Sequence, residues 1–391
     1  HQELLLSSLE KACEIWPDEP IWHYWAANIA SLIRRETNRV KHLERAFVLK
    51  PQWFEPAYAL GKAYIADQQP ELAVDVLARA VELAPERSDV VYSLATANRL
   101  IGRLDEALVY AERAASLDRQ VTAPLLLCGE VAMELGKLEQ AEGFAQMAVD
   151  RNANDLSAIL FQSKAKERLG NKEAALAVLE DAIDKTTSTE KASSTNLPLL
   201  AEYARLTKEI RGAKGALPIL DGALRQYPNE FVILRLLAEA QFEMGNYAEA
   251  DKLATQGLQL QPDDPALCLL MGRILSRNGQ LDLAVRLFSE VIVRRPEFVD
   301  AYLDLGFAHQ QRREYRKALG IYQRARELAP KDHRVYMETA NVLKEIKDYH
   351  NAELMLQKAT ELAPQNIGIR KQLSAIMALN LIQNTSTPGG Y

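Results

Sequence analysis

The chain has 391 residues, 48% of them hydrophobic and 26% charged, with a formal net charge of −6. That composition excludes a disordered chain, and the acidic balance lacks the basic field that phosphate backbones require, so no nucleic-acid partner is expected. No apolar run approaches the roughly 18 to 20 residues that span a bilayer, so direct membrane insertion is not expected, and His1-Gln2-Glu3-Leu4 lacks the basic and apolar regions of a signal peptide.

In chain order, the prolines set the frame. Pro17, Pro51 and Pro85 recur at 34 residues, as do Pro228, Pro262, Pro296, Pro330 and Pro364, which is the spacing of a repeated supersecondary unit. With each proline at position 32 of its unit, residues 1–19 read as the second helix of an incomplete repeat, because Leu5, Leu9, Ala12 and Pro17 fall at positions 20, 24, 27 and 32. Further repeats or another domain are therefore expected before His1 in the full protein. Five complete units begin at Pro20, Phe54, Ser88, Thr122 and Leu156 and fill 20–189. A polar insertion follows at 190–196, within the run Thr186–Asn196, and reads as a tolerated surface connection or as a hinge or partner contact. Five more units begin at Leu197, Phe231, Pro265, Val299 and His333 and fill 197–366; residues 367–383 read as a capping helix and 384–391 as a disordered tail.

Within the units, position 20 is Ala in every case but Arg39, and position 8 is Ala, Gly or Ser throughout, so two helices can approach closely there. A turn lies between them, as in Ile101-Gly102-Arg103 and Met244-Gly245-Asn246, where glycine can take the left-handed conformation that ends a helix. The proline ends the second helix, since it cannot donate the helical hydrogen bond. Each unit is thus a helix hairpin, and because one hairpin cannot bury both apolar faces, neighbours must stack into a superhelix.

These residues resemble the tetratricopeptide repeat family, as in Ala57-Tyr58-Ala59-Leu60-Gly61 and Glu71-Leu72-Ala73 followed by Ala80 and Pro85. Arg119 and Ala153 replace the proline in two units. The resemblance implies an all-α, right-handed superhelical solenoid of stacked helix-turn-helix units, with positions 2, 5, 9, 12 and 13 facing a concave groove that holds a protein or peptide. In the first four units that set includes Tyr24, Asn28, Tyr58, Lys62, Ile65, Tyr92, Thr96, Arg99, Leu126, Glu130 and Met133, an apolar and aromatic strip. In the last five, the equivalent places hold Arg205, Lys208, Arg235, Glu239, Arg273, Arg277, Gln310, Arg334, Asn341 and Lys344, so the groove reads as two-toned. Trp16, Trp22, Trp25 and Trp53 all fall in the first 53 residues, where packing between the first units accounts for most of the clustering. The N-terminal third is nonetheless the candidate docking surface.

Two sites of the family are absent from the sequence: no three consecutive units carry the Lys and Asn set that clamps a chaperone-tail carboxylate, and no Asn recurs at position 6. Cys13, Cys128 and Cys268 form no CxxC pair or metal-ligand spacing, the six histidines lie at unrelated repeat positions, and no GxGxxG, HExxH or GxSxG motif occurs. The cysteines read as buried small hydrophobes, which favours a reducing, cytoplasmic compartment over a periplasmic one. No cofactor, metal or catalytic activity is expected. The sequence reads as a bacterial, non-enzymatic scaffold in a multiprotein assembly, or alternatively as a regulatory or substrate-presenting arm of a larger enzyme or secretion/export complex.

Overall fold

The computed structural model describes residues 1–187 and 197–386, and those residues form helices joined by short turns, with no strand among them. The fold is an all-α helical repeat solenoid. The opening helix Gln2–Ile15 is followed by Pro20–Leu32 and Glu36–Leu49, then by Phe54–Ala66 and Pro70–Leu83, and the same pairing of a 13-residue with a 14-residue helix recurs through Tyr349–Leu362 with small variations. The chain divides into two compact bodies, His1–Leu206 and Thr207–Tyr391, each built from such pairs.

The small-residue pattern becomes packing. All nine position-20 alanines, Ala73 to Ala352, are at most 1% exposed. Opposite them, the buried Ser163 hydroxyl at position 8 donates to the Ala175 carbonyl at position 20 across 3.2 Å, a distance only small side chains permit. Between these contacts sit Leu43, Leu60, Leu77 and Leu94, each at most 2% exposed. A fully buried leucine contributes roughly 1.5–3 kcal/mol of apolar transfer, so each of these adds to the cohesion between the first repeats.

Each interhelical turn places one residue in the left-handed region. Glycine occupies it in five repeats, for example Gly102 at φ 79°, whereas Arg34, Gln68, Arg313 and Lys347 are held there at φ 57–63°. The helix pair dictates the turn, and the side chain follows. The sixth repeat differs from the expected hairpin: Leu197–Gln226 is one helical element interrupted at Gly212 (φ 74°, ψ 174°), one position later than the usual turn residue.

Arginines brace the junctions between repeats whether or not the proline is there. Arg45, Arg79 and Arg113 donate to the carbonyls of Pro17, Pro51 and Pro85. Beside Arg119, which replaces the next proline, Arg151 donates instead to Ala115, Asp118 and Val121 carbonyls at 2.6–3.3 Å, satisfying the helix end that the missing proline leaves looser. The last helix runs Ile367–Ser386, three residues beyond the expected limit. The insertion at 190–196 and the end of the tail lie outside the described residues.

Candidate functional site

Every first-helix residue expected at the groove stands on the first helix of its repeat, and in the N-terminal body these helices touch along the array. Tyr24, Asn28, Tyr58, Ile65, Tyr92, Thr96, Arg99, Leu126, Glu130 and Met133 are half-buried and Lys62 is exposed. Tyr24, Tyr58, Ile65 and Tyr92 share one apolar cluster with Leu60, Leu77 and Leu94, whereas Leu126 and Met133 pack on a separate one around Ala145 and Phe161. The strip therefore has two apolar centres.

The first centre is an aromatic shelf. Tyr24 meets Trp53 at 4.9 Å between centroids, and Phe54 stacks on Tyr58 at 5.7 Å. The Arg87 guanidinium lies over both Phe54 and Tyr58, at 4.7 and 5.7 Å, and the Lys62 ammonium lies 5.5 Å from the Tyr58 ring. Burial raises the Tyr58 phenol pKa, with the Asp89 carboxylate adding to the rise, and the hydrogen bond from Arg87 holds Asp89 below the usual carboxylate range. Trp16 and Trp25 correct the packing reading: they are 51% and 50% exposed, and together with the half-buried Trp22 they extend the aromatic surface.

Between the two apolar centres, Arg99 bridges to Glu130 and, at 2.7 Å, to Glu134. Thr96 is spent on its own helix, donating to the Tyr92 carbonyl at 3.0 Å. The charged half expected further along is largely paired: Arg205 with Glu167 and Glu202, Lys208 with Glu239 and Glu243, Arg273 with Asp304 and Arg334 with Asp300 and Asp332. In the C-terminal body a cleft lined by Phe242, Arg273, Ser276, Asp304 and Phe307 holds Asp304 so deeply that burial pushes its carboxyl up to about 6 despite Arg273.

Sequence reasoning left Cys13, His23 and His42 as unrelated residues; the structure brings them together. The thiol and one nitrogen of each ring lie within 4.8 Å of one another, and the two Nδ1 atoms are 3.2 Å apart. Burial lowers the pKa of both histidines and raises that of the thiol. A cleft of about 620 Å³ opens onto them, bounded by Glu10, Glu14, Lys41 and Arg45. Among the described residues this is the one cluster with the donor types and spacing to hold a metal ion.

Comparison with known proteins places this architecture. Models of the tetratricopeptide repeat match residues 58–121, 213–274, 269–333 and 303–367, together more than half the chain. The chain belongs to the tetratricopeptide repeat family. A tetratricopeptide repeat protein from Parabacteroides merdae superposes with a TM-score of 0.56 at 17% identity, covering 66% of this chain and 98% of that one. A chain of the APC/C hetero-tetramer Cut9-Hcn1 superposes at 0.52 with 13% identity, covering 96% of this chain and 93% of its own. At those identities the likeness concerns the fold alone. The human Protein O-mannosyl-transferase TMTC1 is 26% identical over 113 residues, which are 29% of this chain and 13% of that protein. As a tetratricopeptide repeat array the chain is a protein-interaction scaffold, and no helix among its described residues is long and apolar enough to cross a membrane.

Within the repeat frame, the signal for the Cys/His cluster was available. His42 stands at position 23, where the other nine repeats carry Val76, Tyr110, Phe144, Val178, Ile219, Leu253, Leu287, Ile321 and Met355. Two histidines on core-facing positions of a single repeat are exceptional in this chain. Comparing repeats with one another, rather than searching for linear ligand spacing, would have singled them out.

Proposed function

We propose that the chain is a non-enzymatic scaffold that docks a peptide or protein segment on the first-helix surface of its N-terminal repeats, as one subunit of a multiprotein assembly. The observation that carries this reading is the Trp53–Phe54–Tyr58 shelf with Arg87 and Lys62 against its rings. Rigid half-buried aromatics beside cations are what an apolar side chain with a neighbouring carboxylate needs: area to bury at little entropic loss and a charge partner at the rim. Tyr24, Tyr58, Ile65 and Tyr92 supply the apolar floor, Asn28, Thr96 and Lys62 its polar edge, and Arg99, Glu130, Leu126 and Met133 a second station.

A peptide library displayed on phage and selected on the full chain tests this. Enriched peptides should carry an aromatic or large aliphatic residue next to an acidic one, and the Tyr58→Ala/Tyr92→Ala variant should bind them at least about 30-fold more weakly, since hot-spot truncations cost about 2 kcal/mol or more. Unchanged affinity in that variant, with helicity intact, removes the reading.

The likeness to a stretch of an O-mannosyl-transferase supports a second reading, in which the repeats are the regulatory or substrate-presenting arm of a larger enzyme or export complex. Crosslinking in the native source separates the two, because an arm recovers a catalytic or membrane partner in fixed stoichiometry and a free-standing adaptor does not.

A further inference from the structure

Cys13, His23 and His42 come from three different helices, Gln2–Ile15, Pro20–Leu32 and Glu36–Leu49. The outward nitrogens of the two rings both face acceptors. His23 Nε2 lies 3.3 Å from the Pro17 carbonyl, which can only accept. The same repeat position elsewhere holds Tyr302 and Tyr336, whose hydroxyls donate to the Pro296 and Pro330 carbonyls at 2.9 and 3.0 Å, so His23 fills a donor's place. His42 Nε2 faces the Glu10 carboxylate at 3.9 Å, which favours the proton on that nitrogen, and Asn38 steadies Glu10 from 3.0 Å.

In the tautomer that puts hydrogen on both Nε2 atoms, the two Nδ1 atoms point bare lone pairs at each other across 3.2 Å. Two lone pairs at that distance repel unless an electrophile lies between them. A metal ion resolves the conflict: tetrahedral zinc with bonds of about 2.0–2.1 Å sets its two nitrogens about 3.3 Å apart.

We propose that Cys13, His23 and His42 bind one zinc-type divalent transition-metal ion, with the fourth position open to water from the adjoining cleft. Binding exchanges the Cys13 S–H for an S–metal bond and releases one proton to solvent, which reverses the burial penalty on the thiolate. The Pro17 carbonyl and the Glu10 carboxylate then orient the two rings, as outer-shell acceptors do in metal–histidine sites. Sulfur and imidazole donors exclude magnesium and calcium as the preferred ion. A blue-copper arrangement wants an axial methionine, and the first methionine of the chain is Met133. The ion would tie the opening helix to both helices of the first repeat.

The test uses the full chain in reducing buffer, stripped with a chelator and titrated with Co²⁺ and then Zn²⁺. One equivalent of Co²⁺ should produce thiolate-to-cobalt charge-transfer absorption that Zn²⁺ abolishes. Cys13→Ser and His42→Val should each lose saturable uptake, while Glu10→Gln should weaken it about 10-fold or more, in the range of outer-shell changes. His42→Val places the residue that Val76 supplies at the same position of the next repeat, so it is compatible with the fold. No saturable uptake by a helical wild-type chain, a cobalt spectrum without sulfur character, or wild-type uptake in either ligand variant each overturns the proposal.

Discussion

Replacing Gly306 with alanine puts the repeat packing to a quantitative test. A Cβ at that position would meet Tyr322 Cζ at 2.6 Å and Cδ1 at 2.8 Å, with Cε1 nearer still. Carbon atoms rest about 3.5–4.0 Å apart, so the ring would have to retreat by about 1 Å. Tyr322 is 0% exposed and has no free side to move toward. Overpacking of this kind costs about 1–3 kcal/mol, and three ring atoms at once argue for the upper end; the helix propensity of alanine over glycine returns about 1 kcal/mol. The expected net loss is about 2 kcal/mol. Gly320, in the following helix Tyr315–Leu328, has nothing within 4 Å of its Cβ site, so Gly320→Ala should gain about 0.5–1 kcal/mol. Urea unfolding followed by far-UV circular dichroism, compared at equal slope, measures both. Adding Tyr322→Leu to Gly306→Ala should recover about 1 kcal/mol or more, because Ala340 faces Leu356 at the same two repeat positions in the following repeat. A Gly306→Ala chain as stable as the wild type, beside a stabilised Gly320→Ala chain, would refute the close-approach argument.

Three further outcomes follow from single side chains. Lys347 is held at φ 63°, so Lys347→Gly should raise stability by about 1 kcal/mol, read from the urea midpoint. The Tyr322 hydroxyl is buried with no hydrogen-bond partner among the described residues, so Tyr322→Phe should leave stability unchanged or raise it by about 1 kcal/mol, whereas a loss above that would mean a partner water. Asp304 has its carboxyl raised to about 6 by burial, near Arg273, Asp300 and Arg334. Because its unfolded value is about 3.9, its protonation favours folding fully below about pH 4 and this advantage fades as pH rises through about 6. The stability of the wild type relative to Asp304→Asn should therefore shift toward the wild type by up to about 3 kcal/mol between pH 7 and pH 4, and a flat difference across that range contradicts the burial account.

The aromatic strip was legible because Tyr24, Tyr58 and Tyr92 recur at one repeat position, and periodicity alone puts them on one helix face. What the strip offers a partner was not legible. Neither the placement of Arg87 over Phe54 and Tyr58 nor the exposure of Trp16 and Trp25 is encoded by spacing, since each depends on how one repeat turns against the next. The ion pairs of the charged half were not legible either, since Glu167, Glu239 and Asp304 reach Arg205, Lys208 and Arg273 from neighbouring helices.

By itself the sequence determined the family, the helix pairs and the positions at which backbones touch, because these rest on local periods: 3.6 residues for a helix face and 34 for the repeat. Ala73 through Ala352 could be assigned to contacts without a coordinate in hand, and all of them lie there. The tertiary structure alone decided the rest. Arg34, Gln68, Arg313 and Lys347 adopt a glycine's conformation because the packed helix pair forces the turn, overriding local preference. Cys13, His23 and His42 meet because three consecutive helices pack together; the repeat frame marks the two histidines, but their closeness to the thiol is set by interhelical packing.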